Sequence, residues 1–330
     1  METRPPATGV HPGPANPQAG GGAVRASSWG RRLRLALACA LGAGLLVALG
    51  VAIYVALPWV NRLGTLQWRS GADWREVSGV EESRRVWTQT SAFLTPEWRE
   101  VAAGLSAAEL DVRRWPNPVT VPIKLLRLAP GWRFRVIHRP DFAPADVETL
   151  ATEAGVPLAI NASFFSEAGP VGLVVSDGER RHQQARRWAA HFVVDRPGGR
   201  PRIVNQKRAP LADVDQAFQA FPAIMSQGRT YDYLRVGGRG FDVRAVDRRS
   251  AACVTWEGDT VLLVTDSLTN GLAFFELATV LGGLGCRDAM GFDGGSSSSL
   301  YVELPELSWR VSGLDIVVGL GAEPGSGGGE

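Results

Sequence analysis

The chain has 330 residues, 45% of them hydrophobic and 21% charged, with 35 Lys and Arg against 33 Asp and Glu for a formal net charge of +2. That length supports a sizeable core in one large domain or two small ones. The near-neutral balance, with no long basic stripe, argues against nucleic acid as a partner.

At the N-terminus, "PPATGVHPGPANPQAGGGAVRASSWG" has too few apolar side chains to offset the entropy of ordering, and so has the closing "GAEPGSGGGE". Residues 1–34 and 321–330 are expected to be disordered tails. No charged residue occurs from Leu35 to Val60. A helix of that length spans the roughly 30 Å of bilayer hydrocarbon. Arg31, Arg32 and Arg34 precede it, and Tyr54 and Trp59 lie towards its far end, where aromatic rings favour the interface. A cleaved signal peptide would have a shorter apolar core and no long polar leader. Residues 35–60 are therefore read as one transmembrane helix, with a cytoplasmic N-terminus and an extracytoplasmic main domain.

Residues 61–91 read as a juxtamembrane linker and 92–320 as the folded domain. "TPEWREVAAGLSAAEL" is expected to be helical, with Thr95 as N-cap and Pro96 at the first position. "VTVPIKLLRL" and "WRFRVIH" alternate in part and read as strands about the turn "APG". "APADVETLATEAG" is an amphipathic helix ending at Gly155, followed by a strand, "VPLAI", that runs into Asn161. Later, "VLLVT" is a strand ending at Asp266, "AFFELATVLGGLG" a helix closed by glycines, and "AMGF" a strand leading to Asp293. A strand–helix–strand unit runs its two strands in one direction, which places Asp266 and Asp293 at one sheet edge, the edge where ligands bind. If "VPLAI" joins that sheet in parallel, Asn161 lies there too. Cys253 and Cys286 would make one disulfide in an oxidising space, but two buried free thiols are the preferred reading.

The stretch "GFDGGSSSSLYVEL", residues 291–304, places an acid, two glycines and four serines between strands. Glycine tolerates positive φ, so "DGG" can fold back into a nest of N–H groups that suits an anion such as phosphate, with serine hydroxyls as further donors. The competing reading is a tight turn with an Asx hydrogen bond. Arg249, before an expected strand, offers a cationic fork for phosphate oxygens, although the pair Arg248–Arg249 leaves the choice open. His138, His182 and His191 lack zinc-ligand spacing, and no cysteine pair has it, so no metal is expected.

Seven segments then occur in order: "NASFF", "GLVVSDG", "FPAIMSQG", "RSAAC", "VTDS", "GLAFFELATVLGGLG" and "FDGGSSSS". Over about residues 121–318 this order resembles the phosphodiester glycosidase domain family. The resemblance implies an α+β domain with a mixed β-sheet core and packed helices, and hydrolysis of a sugar-1-phosphodiester or related glycosidic bond without a redox cofactor. Carried across residue by residue, it implies Asp293, Asp266 and Arg249 as catalytic. Asn161, Ser163, Gly294, Gly295, Ser296 and Ser297 would bind substrate. The chain departs from the family pattern at Ser250, Cys253, Ser267 and around Gly291.

In this reading Asp293 is the catalytic carboxylate, Asp266 its partner, and Arg249 with the Gly/Ser loop stabilises the departing phosphate. Carboxylates about 5 Å apart would mean retention of configuration, and about 6.5–9.5 Å inversion. The expected function is a membrane-anchored hydrolase acting on an extracytoplasmic glycan such as an exopolysaccharide. The alternatives are a non-catalytic glycan-binding or polysaccharide-assembly protein on the same fold, or a structural envelope protein whose Gly/Ser loop is only a turn.

Overall fold

The computed structural model describes residues 37–50, 65–79, 94–115, 119–186, 190–195, 199–205, 211, 213–236 and 242–325. The chain divides into two units, 1–56 and 57–330. In the first, residues 37–50 are helical, with Leu41, Leu45 and Leu46 exposed to 70% or more. Among the described residues no helix is long and apolar enough to cross a membrane. The expected span 35–60 runs beyond the described residues at both ends, and the expected tail 1–34 lies wholly outside them.

The second unit is α+β. Its ten-stranded sheet contains, in spatial order, Ala223–Ser226, Cys286–Gly291, Ser250–Thr255, Thr260–Thr265, Thr120–Leu128, Leu105–Trp115, Thr65–Arg69 and Arg75–Gly79. A five-stranded sheet runs Leu307–Val311, Leu300–Leu304, Leu158–Asn161, Gly319–Pro324 and Trp132–Ile137. Another five-stranded sheet is built around Val214–Ala220 and Ala190–Asp195. Neighbouring strands in all three sheets pair antiparallel, so the core is not the mixed sheet expected; strands that run the same way, such as Thr260–Thr265 and Cys286–Gly291, are separated by an antiparallel one.

One face of the large sheet packs on the helix Phe274–Gly283 through Leu277, Val280 and Leu281. The opposite face meets both smaller sheets in one core. Within it the rings of Phe134, Phe192, Phe218 and Phe292 stand in a row, with successive centroids 5.4, 5.6 and 5.0 Å apart. The helix Val147–Ala154 covers the outer face of the second sheet through Leu150 and Ala151. Asp146 caps it, accepting from Thr149 N–H at 2.8 Å, and Gly155 ends it with φ 68°.

Five further expectations are corrected. The segment from Thr95 is not a helix but the hairpin Arg99–Ala102 and Leu105–Trp115, because Leu105, Ala107, Leu110 and Val112 bury side chains at sheet spacing on either face. The linker 61–91 contributes two strands, anchored by the buried side chains of Leu66 and Trp68. Residues 321–324, expected in a tail, complete the strand Gly319–Pro324. Cys253 and Cys286 are joined in a disulfide, their Cα atoms 5.7 Å apart on adjacent strands. The Leu158–Asn161 strand lies in the second sheet and not beside Thr260–Thr265.

The expected direction of the other unit holds with one strand interposed. Thr260–Thr265 and Cys286–Gly291 are each antiparallel to Ser250–Thr255 between them, so both run the same way.

Candidate active site

Three strand ends of the large sheet meet at one edge. Arg249 is tied to Thr265 twice: its N–H donates to the Thr265 side-chain Oγ1 at 2.8 Å, and its carbonyl accepts from Thr265 N–H at 2.9 Å. Phe292 N–H donates to the Ser250 carbonyl at 2.8 Å. Asp266, Arg248–Arg249 and Asp293 therefore sit side by side in the chain's path.

The loop after Phe292 leaves this sheet and enters the second one at Leu300. Asn161 receives it there, although it belongs to the other sheet. Its Nδ2 donates to the Asp293 carbonyl at 2.6 Å, and its Oδ1 accepts from Ser299 N–H at 3.0 Å. Asp293 N–H donates to the carbonyl of the neighbouring Ala162 at 3.0 Å. Asn161 is fully buried, as is Ser163, whose hydroxyl donates to the Gln219 carbonyl at 3.1 Å. Asn161 acts on the loop's shape from beneath it, whereas the Ser163 hydroxyl is bonded away from the loop.

Gly295–Ser297 form a single 3-10 turn. The expected nest of inward N–H groups is not present in that form, because most donors are consumed. Gly294 N–H and the Ser297 hydroxyl both serve the Asp293 carboxylate. Gly295 N–H goes to the Arg248 carbonyl, Ser297 N–H to Gly294 and Ser298 N–H to Gly295. Ser296 is exposed, and neither its N–H nor its hydroxyl has a partner among the described residues.

Behind the turn, Gly313 lies so close that a Cβ there would meet the carbonyls of Ser296, Ser297 and Ser298 at 2.9–3.0 Å. Glycine is needed for that approach. Gly295 has φ +61°, and Asp247 Oδ2 lies 3.1 Å from where its Cβ would be.

Burial pushes the Asp293 carboxyl up to about 6, against the opposing pull of the Ser297 hydroxyl and the Gly294 N–H, and the nearby Asp247 charge raises it further. Arg248 is buried and donates from Nη2 to the carbonyls of Ser298 and Ser312 at 2.5 and 2.7 Å. Its Nε is buried without a partner. Arg249 is buried too. Its Nε and Nη2 donate to the carbonyls of Leu272 and Ala245 at 2.8 and 2.6 Å, and its guanidinium lies 3.7 Å from the Phe274 ring centroid. Burial lowers its pKa to about 10, so it stays charged near neutrality. Its Nη1 lies 3.3 Å from where a Gly294 Cβ would sit, directly behind the loop. Asp266 is partly exposed, 3.7 Å from Lys124 Nζ.

Two contributors escaped the sequence reading. Asp247 stands directly before the arginine pair in "DRRSAAC", and an acid beside two cations is the signal that marks it. Arg114 and Glu276 form a buried ion pair in which Arg114 also donates to the Gly271 carbonyl at 2.9 Å and Glu276 accepts from Ala273 N–H at 2.7 Å. The pair fixes the turn whose Leu272 carbonyl holds Arg249. No spacing rule joins positions so far apart. Among the described residues, no group of three or more His, Cys, Asp or Glu side chains is placed to hold a metal.

The family model for phosphodiester glycosidase matches residues 154–319, which include every one of these loop and strand-end residues. The chain belongs to the phosphodiester glycosidase family. Its fold resembles the catalytic domain of zebrafish N-acetylglucosamine-1-phosphodiester alpha-N-acetylglucosaminidase, solved in a form auto-inhibited by its pro-peptide. That likeness has a TM-score of 0.55 at 15% identity and covers 72% of this chain and 87% of that one. A hypothetical protein from Synechocystis is similar at a TM-score of 0.49 and 18% identity, over 69% of this chain and 64% of that one. No curated protein matches.

Proposed function

We propose that this phosphodiester glycosidase family member hydrolyses the bond between an anomeric carbon and a phosphodiester in an extracytoplasmic glycan. The observation that carries the reading is the Asp293 carboxyl, raised to about 6 at the seam of two sheets with two buried arginines behind its loop. A carboxyl poised near neutrality suits a general base. Asp293 takes a proton from water, the water oxygen bonds to the anomeric carbon, and the carbon–oxygen bond to phosphate breaks with its electron pair on the leaving phosphate. That phosphate takes hydrogen bonds from the Ser296 N–H and hydroxyl, in the field of Arg248 and Arg249. Asp247 and Asp266 are the second carboxylates in reach of Arg248, and Asn161 positions the base.

Anchoring through residues 35–60 accords with the exposed leucines of helix 37–50, and an oxidising location accords with the Cys253–Cys286 bridge. A binding-only reading draws on the commitment of Arg249 to backbone carbonyls and of most loop N–H groups to the loop itself.

The test is sugar release by the full-length chain from an N-acetylglucosamine-1-phosphodiester, a substrate class suggested by the zebrafish relative's name, beside Asp293→Asn. Release by the parent and a loss of about 10²–10⁴ in the variant support the reading. A folded parent that binds such diesters and cleaves none is a binding protein.

A further inference from the structure

Away from the Gly/Ser loop, a cavity of about 480 Å³ opens at the edge of the large sheet between Ser70, Glu97, Trp98, Arg99, Glu109 and Trp309. It falls within the range of small-ligand sites. Two tryptophans line it, each partly exposed and each carrying a cation: Arg127 lies 4.5 Å from the Trp98 ring centroid and Lys124 4.7 Å from that of Trp309. These cations hold the rings in place.

Neither indole N–H has a hydrogen-bond partner among the described residues, whereas the buried Trp132 donates to the Ala103 carbonyl at 3.0 Å. The Glu97 carboxylate is exposed and makes no ion pair among them. Its backbone is fixed by a hydrogen bond from its N–H to Ser70 Oγ at 2.8 Å, and Ser70 in turn donates to the Glu109 carbonyl at 3.2 Å. The cavity therefore offers two apolar rings, two unused indole donors and one unused carboxylate on a fixed frame, with the Arg99 guanidinium at its rim donating to the Glu306 carbonyl at 3.3 Å.

Lys124 links it to the candidate site. Its Nζ lies 2.8 Å from Glu109 Oε1 on the cavity wall and 3.7 Å from Asp266 Oδ2 at the sheet edge. The strand Leu307–Val311 makes the same connection, since Trp309 stands three residues before Ser312, whose carbonyl accepts from Arg248. At strand spacing that separation is about 10 Å.

We propose that this groove binds a neutral pyranose residue of an extended glycan whose scissile phosphodiester lies at Asp293. The proposal rests on the glycosidase reading and adds that the substrate is a chain and not an isolated sugar diester. Pyranose C–H faces pack on the indoles, and vicinal hydroxyls donate to Glu97 and accept from the indole N–H groups. The unpaired Glu97 carboxylate disfavours a uronate at this position, because like charges repel at close range.

The test titrates the full-length Asp293→Asn chain, where no turnover interferes, with maltotetraose, cellotetraose, chitotetraose and tetragalacturonate, followed by calorimetry. At least one neutral tetrasaccharide is expected to bind, Trp309→Ala and Trp98→Ala to weaken it tenfold or more, and Trp309→Phe to restore part of the loss. Tetragalacturonate is expected to bind tenfold more weakly, with the gap narrowed by Glu97→Gln. That exposed substitution tests the groove even if the tryptophan variants fail to fold. No binding by the three neutral chains, or binding indifferent to these substitutions, overturns the proposal. A parent that cleaves the small diester but binds no tetrasaccharide loses the groove alone. Tetrasaccharide binding without cleavage by the parent leaves the groove standing and refutes the catalytic reading.

Discussion

Asn161 and Asp293 lie in different sheets, yet the Asn161 side-chain amide donates to the Asp293 carbonyl at 2.6 Å. The same amide accepts from Ser299, so one buried side chain grips the Gly/Ser loop at both ends. Replacement by Ala leaves a buried carbonyl and a buried N–H unpaired, which costs about 1–3 kcal/mol each. Asn161→Ala is expected to lower the melting temperature and to reduce kcat far more than it raises KM, because Asn161 shapes the loop from beneath. Steady-state kinetics with thermal denaturation checks both.

Asp293 sets the pH dependence. As general base it works ionised, so kcat/KM is expected to fall about tenfold per unit as pH drops below about 6 and to level off above it. A profile that instead declines above 6 makes Asp293 a proton donor. Stability runs the opposite way. The folded-state carboxyl binds its proton more tightly than the unfolded chain does, so the contribution is complete below 3.8 and is lost as pH rises through about 6. The loss is at most about 3 kcal/mol at roughly 1.4 kcal/mol per unit, and less in practice because the carboxyl keeps some access to water. Asp293→Asn is expected to flatten this slope in pH-dependent denaturant melts.

Arg114 and Glu276 are buried and paired. Removing one partner strands the other, so Glu276→Ala is expected to cost about 3–5 kcal/mol. The Leu272 carbonyl that holds Arg249 is then less well fixed. Activity is expected to fall as well, even though Glu276 touches no substrate. A Glu276→Ala protein with parental melting temperature and turnover would refute this chain of contacts.

Cys253 and Cys286 close a loop with a sequence separation of 33, for which the chain-entropy model gives about 3–4 kcal/mol. The double Ser variant is expected to be less stable by that amount. The parent should change mobility on denaturing gels when reduced. Equal mobility with and without reductant would show free thiols.

Much of the second unit was legible because its signals are local. Alternation marked Thr120–Leu128 and Trp132–Ile137, and Asp146 and Gly155 bounded their helix. The strand–helix–strand reading placed Asp266 and Asp293 at one edge. What failed depended on which elements become neighbours. "TPEWREVAAGLSAAEL" carries a plausible cap and helix-forming alanines, yet pairing along Thr120–Leu128 outweighs that preference and makes it a hairpin. The disulfide, the assignment of Asn161 to the second sheet and the pairing of Arg114 with Glu276 are all contacts between distant segments, and no spacing encodes them.

The strand Gly319–Pro324 has a practical consequence. It lies between Leu158–Asn161 and Trp132–Ile137, and Trp132–Ile137 comes before the family match at residue 154. A fragment cut at 154 and 319 would keep every candidate catalytic residue while losing two of the five strands that carry Asn161. Expression boundaries for this protein should therefore follow strand order rather than sequence similarity, and begin no later than Thr65.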